Sequence, residues 1–367
     1  MARVWHEVSS SGKRFNPNGA LCAPDGAARS FFDEGGKMTG QARQDIQWVN
    51  RPVSEVFGVR VAADVDVLVR QGRTEEVPAI NPDYRFCLDS LRVIHGFFLS
   101  MDRCMQLVGH KGCGKTTLVE QYHARTNIPL IQYTAHPRTE LDDLLGHFVM
   151  TQSGGMRFHE GPVLRAAKQG LSVLVDEFNV MDPGVATGLN AILQGGGRFY
   201  VPQTEESVSP HPEFRFFATG NMDEGKGLYA GRQRQDVAND DRFWFWKLDY
   251  PGPDYEVPLV QAIFEAAHLD VATARTMAMK CVDVANKLRE QFIGVSDAVD
   301  ALEVTMSTRS LIRWARLMTI FRHVVRLGQE PVHFALEVAL THRPIDPSTK
   351  LAIHAIVESV FNVPFSA

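Results

Sequence analysis

The stretch Cys104–Val119, CMQLVGHKGCGKTTLV, constrains the fold more than any other part of the chain. An apolar segment (Met105, Leu107, Val108) runs into a glycine-rich turn, and a helix is expected to open at Lys115. The spacing G-x-x-x-x-G-K-[ST] is met by Gly109, Gly114, Lys115 and Thr116. A loop that wraps a phosphate chain turns its backbone N–H groups inward, and glycine reaches the positive-φ conformations this needs. The helix that follows points its positive end at the phosphates. The candidate phosphate-binding residues are Gly109, His110, Lys111, Gly112, Cys113, Gly114, Lys115, Thr116 and Thr117. Among them Lys115 is a mobile cation for the terminal phosphates, and the Thr116 hydroxyl is a candidate Mg²⁺ ligand.

A second landmark lies about 60 residues downstream, in LSVLVDEFN (Leu171–Asn179). A continuous apolar run that ends in two carboxylates reads as a strand buried on both faces, with Asp176 and Glu177 at the ligand edge of a parallel sheet. Asp176 is the second candidate for the Mg²⁺ shell. Glu177 is the candidate for orienting and polarising an attacking water. The strand Phe214–Thr219 leads to Asn221, a polar tip that can touch the same phosphate or water. Asp241-Arg242 precedes an aromatic strand, Phe243–Leu248, from which Arg242 can reach a neighbouring subunit's site. Arg232 and Arg234 are secondary basic candidates for that interface.

The remaining segments divide the chain into an irregular arm over 1–50, an α/β domain over 51–250 and a helical domain over 251–367. The arm is rich in Gly, Ser, Asn and Asp and lacks periodicity. Phe57–Val69 has short alternating apolar stretches and suggests one or two small strands. VPAINPDYRF (77–86) leads into a helix before the phosphate loop and is a candidate wall for a base. Thr139 is placed to cap a helix in TELDDLLG. HFVMTQSGGMRFHEG reads as a hairpin around Gly154-Gly155, and Pro162 and Gly170 bracket a helix. VATGLNAILQ reads as one further helix. From Pro251 onward the spacing is helical, with Ser307 or Thr308 capping a helix whose first turn carries Arg309.

Composition excludes several classes. No apolar run approaches the ~20 residues that span a bilayer. The N-terminus lacks the apolar core of a signal peptide. Five cysteines without a C-x-x-C pair fit reduced thiols in a cytoplasmic protein and neither a zinc site nor a disulfide framework. A net charge of -5 gives no global basic footprint, so any nucleic-acid contact must be local. Arg157 and Arg198 are the candidates for such a contact, but the hairpin before Asn221 carries Glu205 and Glu206.

The order of phosphate loop, Asp-Glu strand, polar strand tip, DRF and helical C-terminal part resembles the AAA+ ATPases over residues 77–325. The hairpin between Leu144 and Pro162 and another before Asn221 look like the MoxR branch. VPAINPDYRF, GGRFYV (196–201), SPHPEFRFFATGN (209–221) and GLYAG followed by DRF look like the CobS-type small subunit of aerobic cobaltochelatase. One departure is Val180 after Asn179, where the MoxR branch often has Arg.

The resemblance implies a P-loop AAA+ core, a parallel sheet flanked by helices with β-hairpin insertions, followed by an all-helical lid. It implies ATP and Mg²⁺ as cofactors. Lys115 and Thr116 correspond to the Walker A residues, and Asp176 and Glu177 to Walker B. Asn221 corresponds to sensor 1, Arg242 to the arginine finger and Arg309 to sensor 2. A hexameric homo-oligomeric ring working with a von Willebrand A domain partner is the implied assembly. Its implied work is remodelling of a partner protein or metal-insertion complex. A nucleic-acid motor and a nucleotide-gated scaffold are the alternatives.

Overall fold

The computed structural model describes residues 47–61, 65–100, 102–193, 197–221, 241–293, 302, 304–327 and 329–365. The expected arm lies outside these residues up to residue 46, and so do Arg232 and Arg234.

A five-stranded, all-parallel sheet forms the first domain. Its strands are β3 (Cys104–Gly109), β4 (Leu130–Thr134), β7 (Ser172–Asp176), β10 (Arg215–Asn221) and β11 (Trp244–Leu248). They lie in the order β11-β3-β10-β7-β4. Period-two alternation divides the strand side chains between two cores. Val173, Val175, Phe216 and Ala218 face one core, while Leu174, Phe217, Met105 and Leu107 face the other. Helices α2 (Leu88–Leu99) and α3 (Lys115–Thr126) cover the second face, and α5 (Pro162–Gln169) covers the first. Pro162 opens α5 and Gly170, at φ 71°, closes it.

The residues before the sheet differ from the expected pattern. Phe57 ends a short helix, α1 (Val53–Phe57), and among the described residues of 57–69 there is one strand, β2 (Asp66–Arg70). Its antiparallel partner is β1 (Trp48–Pro52), which begins inside the segment read as irregular. The pairing buries Val67 against the α3 side of the core, a tertiary gain that local composition does not reveal.

Two hairpins interrupt the α/β pattern. β5 (Gly146–Met150) pairs with β6 (Met156–Glu160), and the Thr151 N–H donates to the Gly155 carbonyl at 2.8 Å to close the turn. β8 (Phe199–Val201) pairs with β9 (Glu206–Val208). Thr139 does not cap the helix after β4. That helix, α4 (Leu141–Leu145), starts after Glu140, whose N–H goes to the Asp143 carboxylate at 2.9 Å. The Thr139 hydroxyl instead accepts the His136 N–H at 2.9 Å. The single helix expected over VATGLNAILQ is divided into α6 (Pro183–Gly188) and α7 (Asn190–Leu193). Gly188 is a weak helix former and lies against the Leu141 side chain.

The C-terminal part is helical. α8 (Pro253–Ala266), α9 (Val271–Ile293), α10 (Thr308–Ile320), α11 (Pro331–Leu336) and α12 (Pro347–Phe361) share one core that includes Phe264, Leu288, Trp314 and Val357. Ser307 caps α10 by accepting the Ser310 N–H at 3.2 Å. Between α11 and α12 two buried histidines meet, with His333 Nδ1 2.9 Å from His354 Nδ1.

Candidate nucleotide site

The C-terminal tips of β3, β7 and β10 converge because the three strands are neighbours in register. Asn221 pairs with Gly109, and Ala218 pairs with Val175. This brings Asn221, Asp176 and the phosphate loop to one edge of the sheet. The loop reaches α3 through Gly112 (φ 77°) and Gly114 (φ 100°), both in the left-handed region that favours glycine. Lys115 opens α3 and is buried.

Lys115 Nζ donates to the Gly109 carbonyl, the His110 carbonyl and Asn221 Oδ1, each at 2.9 Å. The Asn221 amide then donates to Glu177 Oε2 at 2.6 Å. One side chain therefore bridges the loop cation and the strand-end carboxylate. The Thr116 hydroxyl donates to Asp176 Oδ1 at 3.0 Å, and the Thr219 hydroxyl donates to the same oxygen. Glu177 has a φ of 57°, a costly conformation for a residue with a Cβ. Its N–H is held by Thr219 Oγ1 at 3.1 Å. The Asn179 amide donates to the Asn221 carbonyl at 3.0 Å and steadies the strand tip.

Sequence reading missed Thr219 and Asn179. Thr219 stands two residues before Asn221 on one strand, so period-two alternation places both on the same side. That signal was available. Asn179 follows Glu177 by two residues, but the sharp turn after β7 that aims it at Asn221 leaves no trace in spacing.

Arg242 is expected to act on a neighbouring subunit's site and Arg309 from the lid. Trp244 pairs with Met105 at the start of β3, so Arg242 sits at the opposite edge of the sheet, roughly 20 Å along the strand direction from the loop. Arg242 is half-buried near Cys104, whose thiol burial pushes up to about 12, with Arg242 among the cations that oppose the shift. Arg309 is exposed in the first turn of α10, and its charge acts on Glu120 of α3. Burial holds the Glu120 carboxyl above its usual range, while Gln132 and Arg309 act in the other direction. Cys113 is buried in the loop, and burial raises its thiol pKa, which keeps it from being a ready thiolate.

The loop is also gripped from outside the sheet. Tyr250, just after β11, stacks on His110 with ring centroids 5.7 Å apart and planes 11° apart. Its hydroxyl donates to the Lys111 carbonyl at 3.2 Å. A Cβ placed on Gly112 would fall 2.6 Å from the Ser307 Cβ, so the start of α10 lies directly on the loop.

This combination of a phosphate loop on β3, a carboxylate pair on β7 and a polar tip on β10 defines a nucleotide-hydrolysing P-loop domain. The AAA domain (dynein-related subfamily) matches residues 105–243, and the CbbQ/NirQ/NorQ C-terminal domain matches residues 263–360. The chain is similar to the aerobic cobaltochelatase subunit CobS of a Sinorhizobium species, 30% identical over 277 residues, 73% of this chain and 80% of that protein. It is similar to protein CbbQ of Hydrogenophilus thermoluteolus, 27% identical over 259 residues, 70% of this chain and 87% of that protein. It is also similar to midasin of Dictyostelium discoideum, 30% identical over 210 residues, 57% of this chain but 3% of that much longer protein. The chain belongs to the MoxR-type AAA+ ATPases, so it binds nucleotide and hydrolyses ATP. Among the described residues no helix is long and apolar enough to cross a membrane.

Proposed function

We propose that the chain is the Mg²⁺-dependent ATP-hydrolysing motor of a ring, and that the ring remodels a partner protein or metal-insertion complex. The observation that carries the reading is the bridge from Lys115 through Asn221 to Glu177, beside the Thr116–Asp176 pair. Thr116 and Asp176 present hard oxygen donors side by side, which suits Mg²⁺. When bound there, Mg²⁺ would neutralise charge on the phosphate oxygens. Lys115, already anchored at the loop, can turn from Asn221 to a phosphate oxygen. Asn221 thereby reports on phosphate, and it holds Glu177 back or releases it to orient the attacking water. Lid residue Arg309 approaches from α10.

Arg242 lies too far from its own loop to act there, which supports a ring in which it completes a neighbour's site. Six subunits and a von Willebrand A domain partner follow from the MoxR resemblance, as does work in the cytoplasm. The likeness to a cobaltochelatase subunit favours metal insertion as the output. A nucleic-acid role is less favoured. The β8–β9 hairpin that would contact phosphates carries Glu206, which is engaged with Lys168.

ATP turnover across a protein dilution series, with assembly state read by mass photometry, tests the proposal. Turnover per subunit that rises with a six-fold species is the expected result. A fully active monomer overturns the ring. Stimulation by DNA rather than by a von Willebrand A protein overturns the protein-remodelling output.

A further inference from the structure

Outside the nucleotide edge, one buried cation has more directed contacts than packing requires. Arg289 on α9 is 4% exposed, and Glu256 on α8 is fully buried. Their contact is a two-pronged fork, Nη1 to Oε2 at 2.7 Å and Nη2 to Oε1 at 2.8 Å. Arg289 Nε also donates to the Met306 carbonyl at 2.8 Å, directly before the Ser307 cap. The Thr308 hydroxyl donates to Glu256 Oε1 at 2.6 Å. The guanidinium lies over the Tyr250 ring, 4.4 Å from its centroid.

From Arg289 two arms lead to the phosphate loop. One passes through Tyr250 to His110 and Lys111. The other passes through Met306 and Ser307 to Gly112. The loop is thus touched at three successive positions by groups that contact this ion pair or adjoin its partners, while Phe292 of α9 also packs edge-on against His110, with ring centroids 6.1 Å apart. Folding of the lid does not need a charge here, because well-packed apolar residues often replace a buried pair without loss. What apolar residues cannot supply is the planar fork that fixes Tyr250 on one side and the start of α10 on the other.

We propose that Arg289 is a positioning residue for the ATPase reaction. It sets the phosphate loop and the lid in the arrangement that binds nucleotide, without touching nucleotide itself. The inference rests on the ATPase reading of the site. Its effect belongs to nucleotide affinity and KM more than to kcat, because the reacting groups on β7 and β10 are untouched.

The test is the double variant Arg289→Met/Glu256→Met, which removes the fork while keeping the lid core filled. Thermal melting, affinity for a fluorescent ADP analogue, and KM and kcat for ATP are measured beside wild type. Melting close to wild type, with Kd and KM raised about tenfold and kcat within about twofold, is expected for a coupled network of this kind. Arg289→Lys keeps the charge but not the fork, and should show the same rise. A folded double variant with Kd and KM unchanged overturns the inference. If the double variant does not fold, Tyr250→Leu in the linker decides. The same rise in KM is expected there, and wild-type KM overturns the inference. Failure of the wild type itself to bind or hydrolyse ATP would instead overturn the reading on which the inference rests.

Discussion

Lys115 and Arg289 are both buried cations on helices, yet they are held in opposite ways. Lys115 is a point charge on a flexible stem, bonded to two backbone carbonyls and one amide oxygen, each at 2.9 Å. Arg289 is a planar fork fixed to a carboxylate on two prongs and covered by an aromatic ring. The first arrangement can be exchanged for a phosphate, because a lysine gives up a neutral acceptor at small cost. The second cannot be opened without leaving charge buried and unpaired. The site therefore combines a movable contact on the sheet with a fixed frame in the lid.

The largest effects should come from the hydrolytic groups rather than from the fixed frame. Arg242→Ala in an assembled sample is expected to lower turnover by about a thousandfold or more, with nucleotide affinity largely kept. Turnover near wild type would show that no neighbour is served. Glu177→Gln should lower turnover by about 10²–10⁴-fold while a fluorescent ADP analogue still binds. Asn221→Ala should cost about 10²-fold in kcat, since Lys115 and Glu177 lose their common partner.

The fixed side should respond in stability instead. Glu256→Ala leaves Arg289 uncompensated and should destabilise the lid by about 3–5 kcal/mol in urea unfolding. A loss as small as that of an exposed pair would erase the contrast between the two cations.

A milder test uses acid. Burial lowers the pKa of His123, under the sheet, and of His354, in the lid, from 6.5 to about 4. His333 beside His354 adds to its shift. Both stay neutral in the fold while the unfolded chain takes up protons. Their contribution to stability is complete above pH 6.5 and falls as the pH drops to about 4, by up to about 1.4 kcal/mol per pH unit for each. Below that the loss stops. His354→Gln should flatten this slope by about one proton, read from urea midpoints across the range.

Much of the nucleotide edge was legible because it is written in short-range chemistry. The loop spacing, the apolar run into Asp176-Glu177 and the strand before Asn221 each announce themselves within ten residues. Long-range pairings left no such trace. Arg289 and Glu256 lie 33 residues apart on different helices, and only tertiary packing brings them together. β1 hid in a polar segment because its reason to be a strand is β2, not its own alternation. The order of strands in the sheet was likewise beyond local reading.

Of the three loop glycines described, Gly112 alone would direct an added carbon into the lid, while Gly114 faces open space and Gly109 meets Leu248 and Cys113. In genetic terms this makes position 112 a natural place for conditional alleles. An added methyl there would meet Ser307 and strain a positive-φ turn, while Glu177 and Asn221 are not among the residues it meets. Second-site suppressors should then map to Ser307, where shrinking the side chain to glycine gives the methyl room.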